Sequence, residues 1–306
     1  MLICGACDDV LEEDITGDIV KIVTPLDGAV LEGNIAQFRW DELEGAKEYR
    51  LQIMKNENFV ITDTLVIDNV FNYQINSGKY LWRIRGENFG YNSIYTFDTS
   101  FTMVASLDLA DQTISLKSPV DNLYYNGGSL NLSWEPVETA EFYQIELLKV
   151  EGEMETSIFV SENIAEFSFA LPDNIITDDA NYVWQVKAIN TTSQSEFFRR
   201  NIFLDSQVPV KPVLTTPTEG QVFTVSTDIN FSWSYQDEGQ VQSAITSSLQ
   251  VSTDENFTEI VQESDNSNLE FSTSFASANT YYWRVKGTDE ALNKGEFSVT
   301  GTFTVN

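Results

Sequence analysis

The chain has 306 residues, 42% of them apolar, enough for two or three packed domains. Its 47 acidic and 17 basic residues give a net charge of −30, a field that repels nucleic acid and anionic lipid headgroups, so no nucleic-acid partner is expected. It contains no histidine, which removes the commonest general base, any Ser-His-Asp arrangement and every His-based metal site. No stretch approaches the ~20 apolar residues of a membrane helix.

The chain opens Met1-Leu2-Ile3-Cys4-Gly5-Ala6-Cys7-Asp8-Asp9, and Cys4 and Cys7 are its only cysteines. The remainder is Cys-free and draws nothing from disulfides. A redox Cys-x-x-Cys needs a depressed thiol pKa, whereas Asp8, Asp9, Glu12, Glu13 and Asp14 would raise it. A structural zinc needs four ligands, and no further Cys or His exists. Gly5-Ala6-Cys7 resembles the lipobox of bacterial lipoproteins, with Cys4 where that family usually has Leu. The resemblance implies cleavage before Cys7 and lipidation of Cys7, so that a membrane is met only through a lipid anchor. A secretory signal carries an apolar run of ~7–15 residues. Only a stub of it is present, so an apolar segment upstream of Met1 is expected. Residues 8–18 hold six acids and no base and read as an acidic tether. Acids directly after the Cys also resemble the surface-export signal of Bacteroidota lipoproteins. That implies an outer-membrane or cell-surface location, with a secreted or periplasmic protein as the alternative.

Three repeats follow. Each begins with apolar residues running into a proline and an acidic turn: Pro25-Leu26-Asp27-Gly28, Pro119-Val120-Asp121-Asn122 and Pro217-Thr218-Glu219-Gly220, with proline spacings of 94 and 98. Proline suits an edge strand because it cannot donate to a central ladder. A strand ending in Trp comes next, as Phe38-Arg39-Trp40, Leu132-Ser133-Trp134 and Phe231-Ser232-Trp233. Alternation puts each Trp and the residue two before it on one, inward face. The third strand is Tyr49–Ile53, Tyr143–Leu147 and, in the last repeat, Leu249–Val251. There it follows a longer loop, Gln236–Gln242. Tyr-x-Trp opens a later strand at Tyr80-Leu81-Trp82, Tyr182-Val183-Trp184 and Tyr281-Tyr282-Trp283, with Trp spacings of 102 and 99. All six tryptophans are thereby placed, two per repeat, and are expected in cores. Each repeat closes on a strand carrying Phe101, Phe203 or Phe303.

Short strands at this spacing with no helical period predict an all-β chain of antiparallel sandwiches. Trp on the second strand, Tyr-x-aliphatic on the third and Tyr-x-Trp later resemble fibronectin type III modules, and the Tyr before the later Trp resembles the tyrosine corner of immunoglobulin-like sandwiches. The resemblance implies three tandem immunoglobulin-like modules. Their boundaries are read as 19–104, 113–206 and 207–306, after a lipoprotein remnant and tether at 1–18. Residues 105–113 read as a flexible linker and 205–212, with Pro209 and Pro212, as a stiffer one. The fold is nearly silent on function. The chain also looks similar to accessory surface lipoproteins of Bacteroidota polysaccharide-uptake systems. That similarity implies a polysaccharide or an envelope protein as partner; the alternatives are a spacer or scaffold subunit without a soluble ligand, or a non-catalytic accessory part of a polysaccharide-processing system.

Candidate contacts are few. Arg83, Arg85, Lys187, Arg284 and Lys286 face away from the core on equivalent strands. They read either as a face for acidic polysaccharide or, the reading favoured here, as cross-strand partners of the many acids. In the loop Gly86–Ser93, Phe89 and Tyr91 are not both expected in a core, and loops at sandwich ends collect binding residues. Phe89, Tyr91, Arg83 and Arg85 are therefore the candidate ligand contacts. Asp178-Asp179, Asp237-Glu238 and Asp254-Glu255 do not have the spacing of a preformed calcium loop. No catalytic residue, metal site or cofactor is expected, and the chain reads as non-enzymatic.

Overall fold

Alternation sets the elements, and burial follows it: in the strand Ile35–Trp40 the side chains of Ala36, Phe38 and Trp40 are buried while Gln37 and Arg39 are exposed. The computed structural model describes residues 12–56, 59–236 and 243–306, and its regular elements among these are strands without a helix. Cys4, Cys7, Asp8 and Asp9 lie outside the described residues, as do Glu57, Asn58 and the part 237–242 of the longer loop.

Each repeat supplies eight strands. The first has β1 (Ile22–Thr24), β2 (Ala29–Glu32), β3 (Ile35–Trp40), β4 (Glu48–Asn56), β5 (Phe59–Val66), β6 (Val70–Gln74), β7 (Gly78–Glu87) and β8 (Thr99–Val104). They form a three-stranded sheet, β1-β3-β6, and a five-stranded sheet, β2-β8-β7-β4-β5. The second has β9 (Leu116–Ser118), β10 (Leu123–Tyr125), β11 (Asn131–Trp134), β12 (Phe142–Glu151), β13 (Met154–Ile164), β14 (Ser168–Ala170), β15 (Ala180–Ile189) and β16 (Phe198–Leu204). The third has β17 (Val213–Thr216), β18 (Gln221–Phe223), β19 (Asp228–Ser234), β20 (Ile245–Ser252), β21 (Ile260–Asn266), β22 (Glu270–Ser274), β23 (Asn279–Asp289) and β24 (Gly301–Val305). Both repeat the sheet orders of the first, giving three tandem immunoglobulin-like sandwiches.

The proline turn moves the opening strand from one sheet to the other. β1 pairs antiparallel with β3, but beyond Pro25 β2 runs parallel to β8. The acid of the turn ties it to the last strand. Asp27 Oδ1 accepts from Ser100 N at 2.9 Å, Asp121 Oδ1 from Asn201 N at 2.8 Å and Glu219 Oε2 from Thr302 N at 3.1 Å. These acids are thus structural, because a carboxylate accepts where a strand end offers an otherwise unpaired N–H.

All six tryptophans are buried, between 0% and 3% exposed. In the first core Phe38 meets Trp82 edge-on at 4.9 Å, and in the third Phe231 meets Trp283 edge-on at 5.1 Å, the arrangement that ring quadrupoles favour. The tyrosine corner is present three times: the hydroxyls of Tyr80, Tyr182 and Tyr281 donate to the carbonyls of Asn76, Asp178 and Ser277, each four residues upstream, at 2.8–2.9 Å. A second tyrosine recurs only twice. Tyr49 and Tyr143 hydroxyls accept from the amides of Leu43 and Val137, whereas the third sandwich has Ser247 at that position. Tyr235 fills the space instead, bonded to Ser247 at 2.9 Å.

Two compact units divide the chain, and the division passes through the second sandwich. One unit runs to Ser115 and includes Glu135–Gln144 and Lys187–Phe198; the other holds Leu116–Trp134, Ile145–Val186 and the chain from Arg199. Two expectations are corrected within the first unit. Residues 105–113 are not a free linker, for Leu109 is 0% and Gln112 5% exposed. The acidic run is likewise folded from Glu12 onward, because Ile15 is 0% exposed. In both segments one aliphatic side chain supplies the buried area that a count of acids and polar residues overlooks.

Candidate functional site

The loop between β7 and β8, residues 88–98, carries four of the large apolar side chains that the first sandwich exposes. The Asn88 side chain builds its tip, Oδ1 accepting from Gly90 N at 3.0 Å and Tyr91 N at 2.8 Å. That is an Asx turn, which satisfies the tip's amides without a strand partner. Phe89 stands on it at 93% exposure and Tyr91 at 38%. Beyond the turn, Ser93 Oγ accepts from Gly86 N at 2.9 Å and Thr96 Oγ1 from Ile84 N at 3.1 Å, so two hydroxyls replace the ladder where β8 has not yet begun. Ile94 and Phe97 lie on this stretch, exposed by 54% and 90%. The sequence reading missed both. The available signal was an apolar residue on each side of Tyr95-Thr96, too short a run to reveal which one faces water.

Arg83 and Arg85 project from the outer face of β7 and converge on Tyr95. Their guanidiniums lie 4.6 and 4.7 Å from its ring centroid, so the ring bridges both cations. Arg83 Nε donates to Gln52 Oε1 at 2.8 Å, and Arg85 pairs with Glu87 at 2.7 Å. Glu87 also takes Arg50 at 2.8 Å. Burial alone would push the Glu87 carboxyl up; the Arg50 and Arg85 guanidiniums outweigh it and hold the group below the usual glutamate range. Among the described residues no ring contact or ion pair joins Phe89 or Tyr91 to either arginine, so the four candidates form two separate pairs.

The same outer face recurs. Lys187 lies over Phe197 at 4.9 Å, Lys286 over Phe297 at 4.9 Å, and Arg284 is clasped between Phe257 and Phe297 at 3.9 and 3.8 Å. Gln185, where the other repeats have Arg, bonds Glu146 at 2.8 Å. The five outward cations are therefore engaged by side chains of their own sandwiches, through aromatic rings more than through the expected acids.

The acid pairs also have local work. Asp178 holds Lys149 at 2.8 Å. Asp254 accepts from the amides of Asn256, Thr258 and Glu259 at 2.8–2.9 Å. Those bonds and the Ser252 hydroxyl overcome the upward push of burial and hold its carboxyl down at about 2. Among the described residues no group of three or more Cys, Asp or Glu is placed to hold a metal ion. Asp237-Glu238 lies outside the described residues.

No protein-family model matches the chain, and no curated protein matches it. Solved structures similar to it include the chicken CNTN1 FN1-FN3 domains, at 15% identity and a TM-score of 0.45, covering 94% of this chain and 97% of that one. The Clostridium thermocellum CbhA fibronectin(III)-like modules are similar at 14% identity and a TM-score of 0.36, over 63% of this chain and 93% of that one. A segment of two fibronectin type III domains from chicken tenascin is similar at 14% identity and a TM-score of 0.22, over 60% and 97%. The likeness to these structures is one of fold alone.

Proposed function

We propose that this chain is a non-enzymatic surface protein whose first sandwich makes the contact with a partner, through the loop 88–98. The observation that carries the reading is the exposure of Phe89 and Phe97, 93% and 90%, on one loop of a sandwich whose other large rings are mostly covered. Among the described residues, the corresponding loops 190–198 and 289–300 carry no exposed aromatic ring. Exposed rings on a protruding turn suit insertion into a pocket of another protein, where aromatic anchors dominate binding energy. A partner envelope protein is therefore favoured over a polysaccharide, which would stack on a flatter platform. Arg83 and Arg85, already held by Tyr95, Gln52 and Glu87, are a supporting rim in this reading. The anchor is a lipid on Cys7, by the lipobox resemblance, and the location is the outer-membrane surface of a Bacteroidota-type cell.

The test is crosslinking on intact cells followed by recovery through a C-terminal tag, comparing the native chain with a Phe89→Ala, Tyr91→Ala, Phe97→Ala triple variant. A recurrent envelope protein recovered with the native chain and lost with the variant, at unchanged thermal stability, supports the reading. Equal recovery with both removes the loop as the contact. Metabolic labelling with a fatty-acid analogue, lost in Cys7→Ser, tests the anchor separately.

A further inference from the structure

The chain segment that enters each of the first two sandwiches is held by the same device. In the first, Asn88 Nδ2 donates to Glu13 O and to Gly45 O, both at 2.9 Å, while its Oδ1 caps the turn at Phe89. In the second, Asn190 Nδ2 donates to Leu107 O at 2.8 Å and to Thr139 O at 3.2 Å, while its Oδ1 accepts from Thr192 N and Ser193 N at 2.9 and 2.8 Å. Asn88 and Asn190 each stand six residues beyond a Tyr-x-Trp tryptophan. Only a carboxamide can give two N–H donors to two carbonyls while accepting from a turn.

The held segments share two hydrogen bonds at matching positions. Thr16 N donates to Asp14 Oδ1 and Ala110 N to Asp108 Oδ1, both at 3.0 Å; Asp18 N donates to Ile15 O at 3.0 Å and Gln112 N to Leu109 O at 3.1 Å. Ile15 and Leu109, both 0% exposed, each precede a strand-end tryptophan by 25 residues. Gly45 lets the strap close in, for a Cβ there would sit 2.8 Å from Glu13 Oε2 and 2.9 Å from Ile15 Cγ2.

The third sandwich has Asp289 at the asparagine position, which can accept but not donate. The donor function moves to Asn293, whose Nδ2 reaches Asp205 O at 2.7 Å and Asp289 Oδ2 at 3.0 Å. Both side chains are buried, Asp289 at 6% and Asn293 at 8% exposure. The chemistry is conserved within the chain although the residue is not.

We infer that the loop end of each sandwich is a peptide socket, built on Asn88, on Asn190 and on the Asp289–Asn293 pair, and that Glu12–Asp18 is the ligand of the first. The ligand of the first two sockets is a short strap of the form Asp-Ile or Asp-Leu, two residues, then Asp or Gln, in which the aliphatic side chain is buried and the acid closes its own turn. Glu12–Asp18 is then an equivalent of the segment 106–112, bound in the same way.

Hydrogen exchange on the full chain tests this. The amides of Asp18 and Gln112 are expected to exchange far more slowly than in an unstructured peptide. Asn88→Ala should speed exchange at Asp18 by roughly tenfold or more and leave Gln112 as it was, and Asn190→Ala should do the reverse. Ile15→Asp should release the same amide as Asn88→Ala while Ile84, in the strand behind, stays protected; it decides the matter if Asn88→Ala does not fold. Exchange of Asp18 at the unstructured rate in the native chain, or protection at Asp18 that survives both Asn88→Ala and Ile15→Asp, overturns the inference.

Discussion

Leu109→Ala separates a flexible linker from a bound strap more sharply than any change in a core. Leu109 sits in Ala105-Ser106-Leu107-Asp108-Leu109-Ala110-Asp111, whose composition is that of a solvated connection. Were it one, truncating the side chain would alter stability by less than about 0.5 kcal/mol. The structure buries Leu109 completely, and its amide donates to Ser193 Oγ at 2.9 Å. Removing three carbons forfeits roughly 2.4 kcal/mol at ~0.8 kcal/mol per buried methylene. The cavity left behind brings the loss to about 2–4 kcal/mol. For a unit of ~100 residues that is a fall on the order of 10 °C in Tm. The neighbouring Leu107, 70% exposed, serves as the control within the same segment. Denaturant titration and scanning calorimetry of the full chain would be compared for native, Leu107→Ala and Leu109→Ala proteins. Three sandwiches need not unfold in one step, so the shift is sought transition by transition. Equal effects of the two substitutions, both under about 0.5 kcal/mol, would refute the burial of Leu109 and the strap with it.

Two further outcomes are expected. Glu87 has a folded pKa held below its ordinary range by Arg50 and Arg85. It therefore contributes stability that is present above the ordinary glutamate pKa and lost as pH falls through the lower folded value. Denaturation of the native chain between pH 7 and pH 2 should show that loss in the first sandwich, and Glu87→Gln should flatten it; an identical pH slope in the variant would remove Glu87 as its source. Ser247, 0% exposed, accepts from Trp233 Nε1 at 2.8 Å and bonds the Tyr235 hydroxyl at 2.9 Å. Ser247→Ala strands a buried indole N–H and should destabilise the third sandwich by about 1–3 kcal/mol in denaturant titration. A neutral result would mean that Trp233 finds another acceptor.

The candidate site was half legible. Phe89 and Tyr91 could be singled out because a Gly/Asn-rich loop cannot bury two rings, a local property. The state of Arg83 and Arg85 could not, since it depends on Tyr95 arriving from the far side of the loop and on Gln52 and Glu87 across the sheet. Acids were the expected partners because they outnumber bases, but composition does not say which side chains a register places opposite one another.

The sequence by itself determined the fold class and the threefold repeat. Period-two alternation, tryptophan at set strand ends and proline before each acidic turn are local signals, and each states its own strand, face and turn. Only the tertiary structure decided that Ile15 and Leu109 are buried, that Asn88 reaches back across 75 residues to Glu13, and that Asn293 replaces the asparagine the third repeat does not have. A strap has no periodicity of its own. Its conformation is set by the carboxamide and the loops that it meets, and those come together only when the sandwich closes.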